Sequence, residues 1–344
     1  MLSAPALAAT VDTIAAMQLD DGMIPWFPGG HADPWTHVEA AMALTVGGRR
    51  AEAERAFDWL LGTQRTDGAW HQYYRAGPGG PVVDVALLDA NVTAYVATGA
   101  WHHFLATGDA GFLSTLWPAV DAAMGFVLRL QAPGGEVTWA RHPDGTPWSF
   151  ALLTASSSTY CSLRCASAIA DRLSYERPWW RPAADRLGEA IRRRPGSFLP
   201  KDRWSMDWYY PVLAGVVRGE DARERLAGGW GRFVMDGVGV RCVADRPWVT
   251  AAETSEAAMA FAAADRVDEA RALFEWAQHL RAPDGSYFTG MVHPEGVHFP
   301  GGERTTYSAA AVVLAADALA GAGPASALFA GDREIGGARA VADR

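Results

Sequence analysis

The sequence predicts an all-α protein, an (α/α)6 barrel in which six helical hairpins close into a toroid. Three observations carry that expectation. First, a helix-ending Gln, a Gly four residues on and a nearby aromatic recur at Gln18, Gly22 and Trp26, at Gln64, Gly68 and Trp70, and at Gln131, Gly135 and Trp139. The cadence returns in altered form at Arg281, Gly285 and Tyr287. A repeat at hairpin spacing marks an architecture built from one reused unit. Second, two kinds of helix alternate, one amphipathic and one rich in Ala and small residues on nearly every side. Third, the links that follow the small-residue helices are short and polar, whereas those that lead into them are long and aromatic.

In chain order, the amphipathic outer helices fall over 6–18, 51–64, 111–131, 178–194, 221–235 and 267–280. The small-residue inner helices fall over 34–46, 90–106, 158–173, 208–217, 251–264 and 306–320. Gly47-Gly48-Arg49-Arg50, Thr107-Gly108-Asp109 and Arg218-Gly219-Glu220 are the tight inner-to-outer links, and Gly77-Pro78-Gly79-Gly80 is a turn. The return loops hold Trp26, Trp70, Tyr73, Tyr74, Trp139, Trp148, Trp204, Trp248, Tyr287 and Phe288. Aromatic, glycine-containing loops gathered at one end of a rigid scaffold are where binding sites form. Residues 133–157 lack a helical period, but their apolar content predicts a pocket wall rather than a linker. One domain is therefore expected over 1–325, followed by a tail over 326–344.

Composition narrows the function. The chain has 344 residues, 49% hydrophobic and 20% charged, enough apolar material for a large core. A net charge of -9 excludes a nucleic-acid partner, since counterion release needs clustered Lys and Arg. The basic run Arg192, Arg193 and Arg194 falls at a helix end, where cations complement the dipole. Cys161, Cys165 and Cys242 form neither a disulfide framework nor a zinc set, so no metal is expected and the cytoplasm is the natural compartment. The start lacks a signal-peptide pattern, and no membrane span is expected. No HExxH, GxSxG, Walker or GxGxxG pattern is present, which removes the metalloprotease, serine hydrolase, NTPase and dinucleotide readings.

The first turns of the inner helices ring the mouth. They read Asp33-Pro34-Trp35-Thr36-His37, Asp89-Ala90-Asn91-Val92-Thr93, Ser156-Ser157-Ser158-Thr159-Tyr160, Met206-Asp207-Trp208-Tyr209-Tyr210, Thr250 to Glu256, and Thr305-Thr306-Tyr307. Helix capping accounts for part of this polarity. It does not require Trp, Tyr and His beside the acids. Glycoside hydrolysis needs two carboxyls across the scissile bond and aromatic faces for sugar rings, and the mouth supplies both. Glu253 is the expected general acid, since apolar neighbours at its helix start raise a carboxyl pKa. Glu256, one turn on, is the alternative acid; Asp33 is preferred over Asp207 as its partner, with Asp89 a further candidate. Trp26, Trp35, His37, Trp70, Tyr74, Asn91, Trp139, Trp208, Tyr209, Trp248 and Tyr287 are the expected substrate contacts. His102-His103 falls late in an inner helix and reads as core or surface.

Two resemblances follow. Gln64 to Trp70 resembles the QW repeat of squalene and terpene cyclases, which also implies an α/α toroid; the acidic stretch Asp84-Val85-Ala86-Leu87-Leu88-Asp89 is not spaced as their DxDD motif, and no prenyltransferase-like zinc set is present. The whole-chain layout is similar to the six-hairpin glycosidases with glucoamylase-like and trehalase-like members. That resemblance implies inverting hydrolysis of an α-linked glycan by paired acids, without a cofactor. Within the group the chain resembles an intracellular actinobacterial enzyme acting on an α-mannan or α-glucan, a partly methylated one suiting its many Trp residues. An isoprenoid-handling enzyme and a glycan-binding protein without catalysis are the alternatives.

Overall fold

The computed structural model describes residues 1–329. Thirteen α-helices make up the body: α1 (Ala4–Met17), α2 (Pro34–Val46), α3 (Arg50–Thr63), α4 (Ala90–Ala94), α5 (Val96–Thr107), α6 (Ala110–Leu128), α7 (Leu153–Arg172), α8 (Trp180–Arg193), α9 (Ser205–Leu213), α10 (Gly219–Phe233), α11 (Ala251–Ala263), α12 (Val267–Trp276) and α13 (Thr306–Ala320). Helices α4 and α5 follow each other across Tyr95, so each expected helix has a counterpart.

Six inner helices close a ring in the order α2, α5, α7, α9, α11, α13, each packed on the next and α13 back on α2. Small side chains permit the approach: a Cβ on Gly99 of α5 would lie 2.4 Å from Val38 of α2. Outer helices pack on the ring, α3 on α2, α6 on α5, α8 on α7, α10 on α9, α12 on α11 and α1 on α13. The core is correspondingly continuous from Val11 to Phe329. Ala325–Phe329 forms a single 3-10 turn whose Leu328 and Phe329 are buried in that core, so the body extends beyond the expected boundary at 325; the rest of the expected tail lies outside the described residues.

The repeat has a mechanical meaning. The Gln64 side-chain amide donates to the carbonyl of Gly68 in its own turn (3.0 Å) and to that of Ala119 on α6 (2.9 Å). Gln18 does the same to Gly22 (3.2 Å) and to Glu52 on α3 (2.8 Å), and Gln131 to Gly135 and to Ala183 on α8 (both 2.9 Å). Each clasp joins one outer helix to the next. In the altered copy Arg281 donates to the carbonyl of Ala6 on α1 (3.1 Å), which joins the last outer helix to the first. The glycines adopt positive φ, +95° at Gly22, +90° at Gly68, +97° at Gly135 and +95° at Gly285, and press on the neighbouring helix backbone. A Cβ at Gly68 would lie 2.1 Å from the Ala122 carbonyl oxygen.

Short antiparallel strands decorate the mouth and were not foreseen: β1 (His31–Ala32), β2 (Tyr73–Gly77), β3 (Gly80–Val85), β4 (Leu88–Asp89), β5 (Ala140–Arg141), β6 (Val234–Met235), β7 (Gly239–Val240), β8 (Trp248–Thr250), β9 (Phe288–Val292) and β10 (Val297–Arg304). They pair as β1-β2-β3, β10-β9-β8, β4-β5 and β6-β7. Most are two or three residues long, too short for an alternation to mark them. The expected turn at Gly77 to Gly80 is the tip of the β2–β3 hairpin.

Helix α6 is long and apolar enough to cross a membrane, a feature the sequence reading overlooked. It serves as an outer helix, with Leu113, Leu116, Val120, Met124 and Phe126 packed into the ring. His102 and His103 are in the core, at 1% exposure each, and burial lowers His102 to a pKa of about 3.

Candidate active site

A cavity of about 380 Å³ opens where the inner helices begin. Asp33 caps α2 and is buried in its wall. One oxygen accepts the Thr36 N–H (3.0 Å), and the other accepts the Trp26 indole N–H (2.7 Å) and the Thr36 hydroxyl (2.6 Å). Burial raises its pKa while these donors oppose the rise. Asp89 caps α4, accepting the N–H groups of Asn91 (2.8 Å) and Val92 (3.0 Å) and, on its other oxygen, the Trp139 indole. Burial lifts it to about 6.

Two places round the ring from α2 stands Glu253, in the first turn of α11, with a single side-chain donor, the Thr250 hydroxyl at 2.5 Å. Burial raises its pKa. Glu256, one turn deeper, accepts the Tyr209 hydroxyl and is pushed by burial to about 8. Asp207, on α9, accepts the Thr154 hydroxyl (2.7 Å) and N–H (3.3 Å). Burial raises it too, against Lys201 and Arg225. Between Asp33 and Glu253 around the ring lies α13, whose Tyr307 packs edge-on against Trp26 at 4.9 Å.

The cavity thus gathers Asp33, Asp89, Asp207, Glu253 and Glu256 with Trp26, Trp35, Asn91 and Trp139. The remaining expected contacts lie elsewhere. Trp70 is fully buried and donates to the Leu60 carbonyl (3.0 Å), and Tyr287 is fully buried against Gln278 (2.6 Å); both pack under the clasps. The buried Tyr74 hydroxyl accepts the His71 N–H (2.9 Å). His37 is held in the core between the Ile24 N–H (3.2 Å) and the Ala56 carbonyl (2.8 Å), and burial lowers it to about 4. Helix α9 starts at Ser205, three residues before the expected start at 208, so Trp208 and Tyr209 fall inside the body. Trp208 stacks on Phe233 and Tyr209 supports Glu256 from below. Trp248 is on β8 against Phe299, outside the cavity.

The structure adds cavity residues that the sequence did not single out as contacts. Helix α7 begins at Leu153 rather than 158, which places Thr154 instead of Ser158 at the mouth. Tyr73, Trp204 and Tyr307 lay in segments already read as mouth or loop. Gln72, Lys201 and Glu39 were not named at all, and Glu39 lies on the second turn of α2.

No family model matches the chain. Solved structures of the same architecture include a wild-type glycosidase, with TM-score 0.69, 17% identity, and coverage of 93% of this chain and 99% of that one. A GH63 mannosylglycerate hydrolase from Thermus thermophilus in complex with Tris has TM-score 0.69, 15% identity, and coverage of 89% and 99%. At such identities these likenesses establish the barrel alone. An MMP endo-(1,4)-3-O-methyl-alpha-D-mannosidase from Mycolicibacterium hassiacum is 51% identical over 322 residues, 94% of this chain and 88% of the relative. The chain belongs to this mannosidase family. It is a glycoside hydrolase.

For a mannosidase-family chain the terpene-cyclase likeness reduces to the clasp. Asp84, part of the acidic stretch, is on β3 and pairs with Arg75 at 2.9 Å, outside the cavity. What the mannosidase fold brings to the cavity is a set of acids held in two ways: the capping aspartates Asp33 and Asp89 are each fastened to a tryptophan, and the glutamates Glu253 and Glu256 are each fastened to a hydroxyl.

Proposed function

We propose that the protein hydrolyses internal α-(1,4) linkages of a 3-O-methylated mannan, with Glu253 as general acid and Asp33 as general base. The observation that carries the assignment of roles is the contrast between the two carboxyls. Three donors converge on Asp33 and favour its ionised form, whereas Glu253 has one side-chain donor and retains a proton more readily. The substrate follows the mannosidase relative. In the reaction Glu253 gives its proton to the glycosidic oxygen as the bond to the anomeric carbon breaks. Asp33 takes a proton from the water that attacks that carbon from the opposite face, which inverts the configuration. No metal or cofactor enters this chemistry, and the unpaired Cys161, Cys165 and Cys242 accord with a cytoplasmic setting.

Proton NMR of the first product tests the stereochemistry, and retained configuration would refute the inverting assignment. Glu253→Gln and Asp33→Asn should each lower kcat on methylated mannan by about 10²–10⁴-fold, the usual contribution of a general acid or base. Full activity in either variant passes that role to Glu256, Asp207 or Asp89.

A further inference from the structure

Below the catalytic level the cavity has a second pair of carboxyls, Glu39 on α2 and Glu256 on α11, each 7% exposed. One oxygen of each is committed to a phenol. Tyr95 donates to Glu39 at 3.4 Å and Tyr209 donates to Glu256. The second oxygen of Glu256 has no hydrogen-bond partner among the described residues, and Glu39 faces the Trp35 indole N–H. The groups that face the pair are themselves acids: the carboxyls of Asp33 and Glu253 and the phenols of Tyr95, Tyr209 and Tyr210. Cys161 from α7 and Tyr307 from α13 extend that surround without adding a cation. The cation lining the cavity, Lys201, acts on Asp207 instead. Two buried carboxyls with no counter-charge cannot both ionise at neutral pH, so the floor holds at least one proton.

Two further groups in the same cavity lack partners. The buried Trp35 Nε1–H faces Glu39 without closing a hydrogen bond to it, and the carboxamide oxygen of Asn91, a residue 2% exposed, has no partner. Buried polar atoms left open along a cavity wall mark where a ligand supplies the missing partners.

We propose that Glu39, with Glu256 and the Trp35 indole, forms a donating floor that receives a methyl-ether oxygen of the sugar, and that Glu39 sets the preference for O-methylated over unmethylated mannan. This rests on the methylmannan reading above. An ether oxygen accepts hydrogen bonds and never donates one, so an ionised carboxylate repels it while a protonated carboxyl and an indole N–H bind it. The methyl group meets the apolar wall of Val92, Leu152, Ala155 and Met206. A free hydroxyl accepts the same hydrogen bond, but its own proton then meets that apolar wall and finds no acceptor there. Asn91 supplies the acceptor for a neighbouring free hydroxyl.

The test is calorimetric binding of thio-linked α-(1,4)-mannotetraoses, 3-O-methylated and unmethylated, to wild type, Glu39→Leu and Glu39→Gln. Wild type should prefer the methylated ligand by about tenfold or more, as one well-placed methyl allows. Glu39→Leu, which has no donor, should reduce the preference to within about threefold. Glu39→Gln donates without ionising, so it should keep the preference that Glu39→Leu loses. An unchanged preference in Glu39→Leu, or loss of the preference in Glu39→Gln, overturns the proposal. Failure of wild type to bind either ligand overturns it together with the activity reading. Binding of both thio-ligands without cleavage of the oxygen-linked substrates overturns the activity reading alone.

Discussion

Every acid in the cavity is pulled toward its neutral form by burial, and what distinguishes one from another is the number of donors aimed at it. Asp33 and Asp89 lie at helix starts, where backbone N–H groups are oriented to receive a carboxylate. Glu256 and Glu39 lie deeper within helices, where backbone donors are already spent, and Glu253, in a first turn, has one side-chain donor, the Thr250 hydroxyl. This difference has a measurable sign. A carboxyl whose folded pKa exceeds its unfolded value binds its proton more tightly when folded. Stability is therefore greatest below about pH 4 for these groups and declines as pH rises toward their folded values. Those values are about 6 for Asp89 and about 8 for Glu256. The shift at Asp89 corresponds to about 3 kcal/mol. Thermal unfolding of wild type should thus shift to lower temperature between about pH 5 and about pH 9, and Glu256→Gln should flatten the upper part of that decline. A Tm that rises over this interval in wild type would contradict the electrostatic picture.

At the scale of elements, the repeat carried more information than its outline. Counting from the clasp glycine, the second residue onward is Ile24, Trp70, Val137 or Tyr287, and all four are buried. The fourth residue onward is Trp26, Gln72 or Trp139 in the first three copies, and all three line the cavity. An aromatic therefore signals the pocket at one position of the repeat and the core at the other, which is why Trp70 and Tyr287 misled while Trp26 and Trp139 did not. Helix starts were the other source of error, because the long loops before α7 and α9 contain no cap side chain to fix them. Glu39 was illegible for a different reason. Its place at the floor depends on α2, α9 and α11 converging across the ring, and nothing in its local sequence records that convergence. The clasps make a direct prediction. Gly68→Ala should cost more than ~2 kcal/mol in urea unfolding, since a positive φ and a backbone clash coincide there. Gln64→Ala, which removes two hydrogen bonds, should cost about 1–3 kcal/mol. Both should leave kcat of the folded fraction near the wild-type value.

At the scale of the molecule, the ring closes only when α13 meets α2 and α1 meets α13, so the described residues have one core rather than two. We expect a single cooperative unit over them: far-UV circular dichroism and tryptophan fluorescence should report coincident transitions, and two separated transitions would reveal independent domains. The seam should be as firm as the other junctions, with Arg281→Ala and Gln131→Ala destabilising to a similar degree. The clasps also divide the chain into two territories. Backbone up to the second residue after each clasp glycine belongs to the ring, and backbone from there to the next inner helix belongs to the mouth. Segments grafted or exchanged within 25–32, 71–88, 138–151 and 288–304 would thus change what the mouth accepts while the wheel behind it keeps its rim, which makes this barrel a scaffold on which substrate choice can be rewritten one loop at a time.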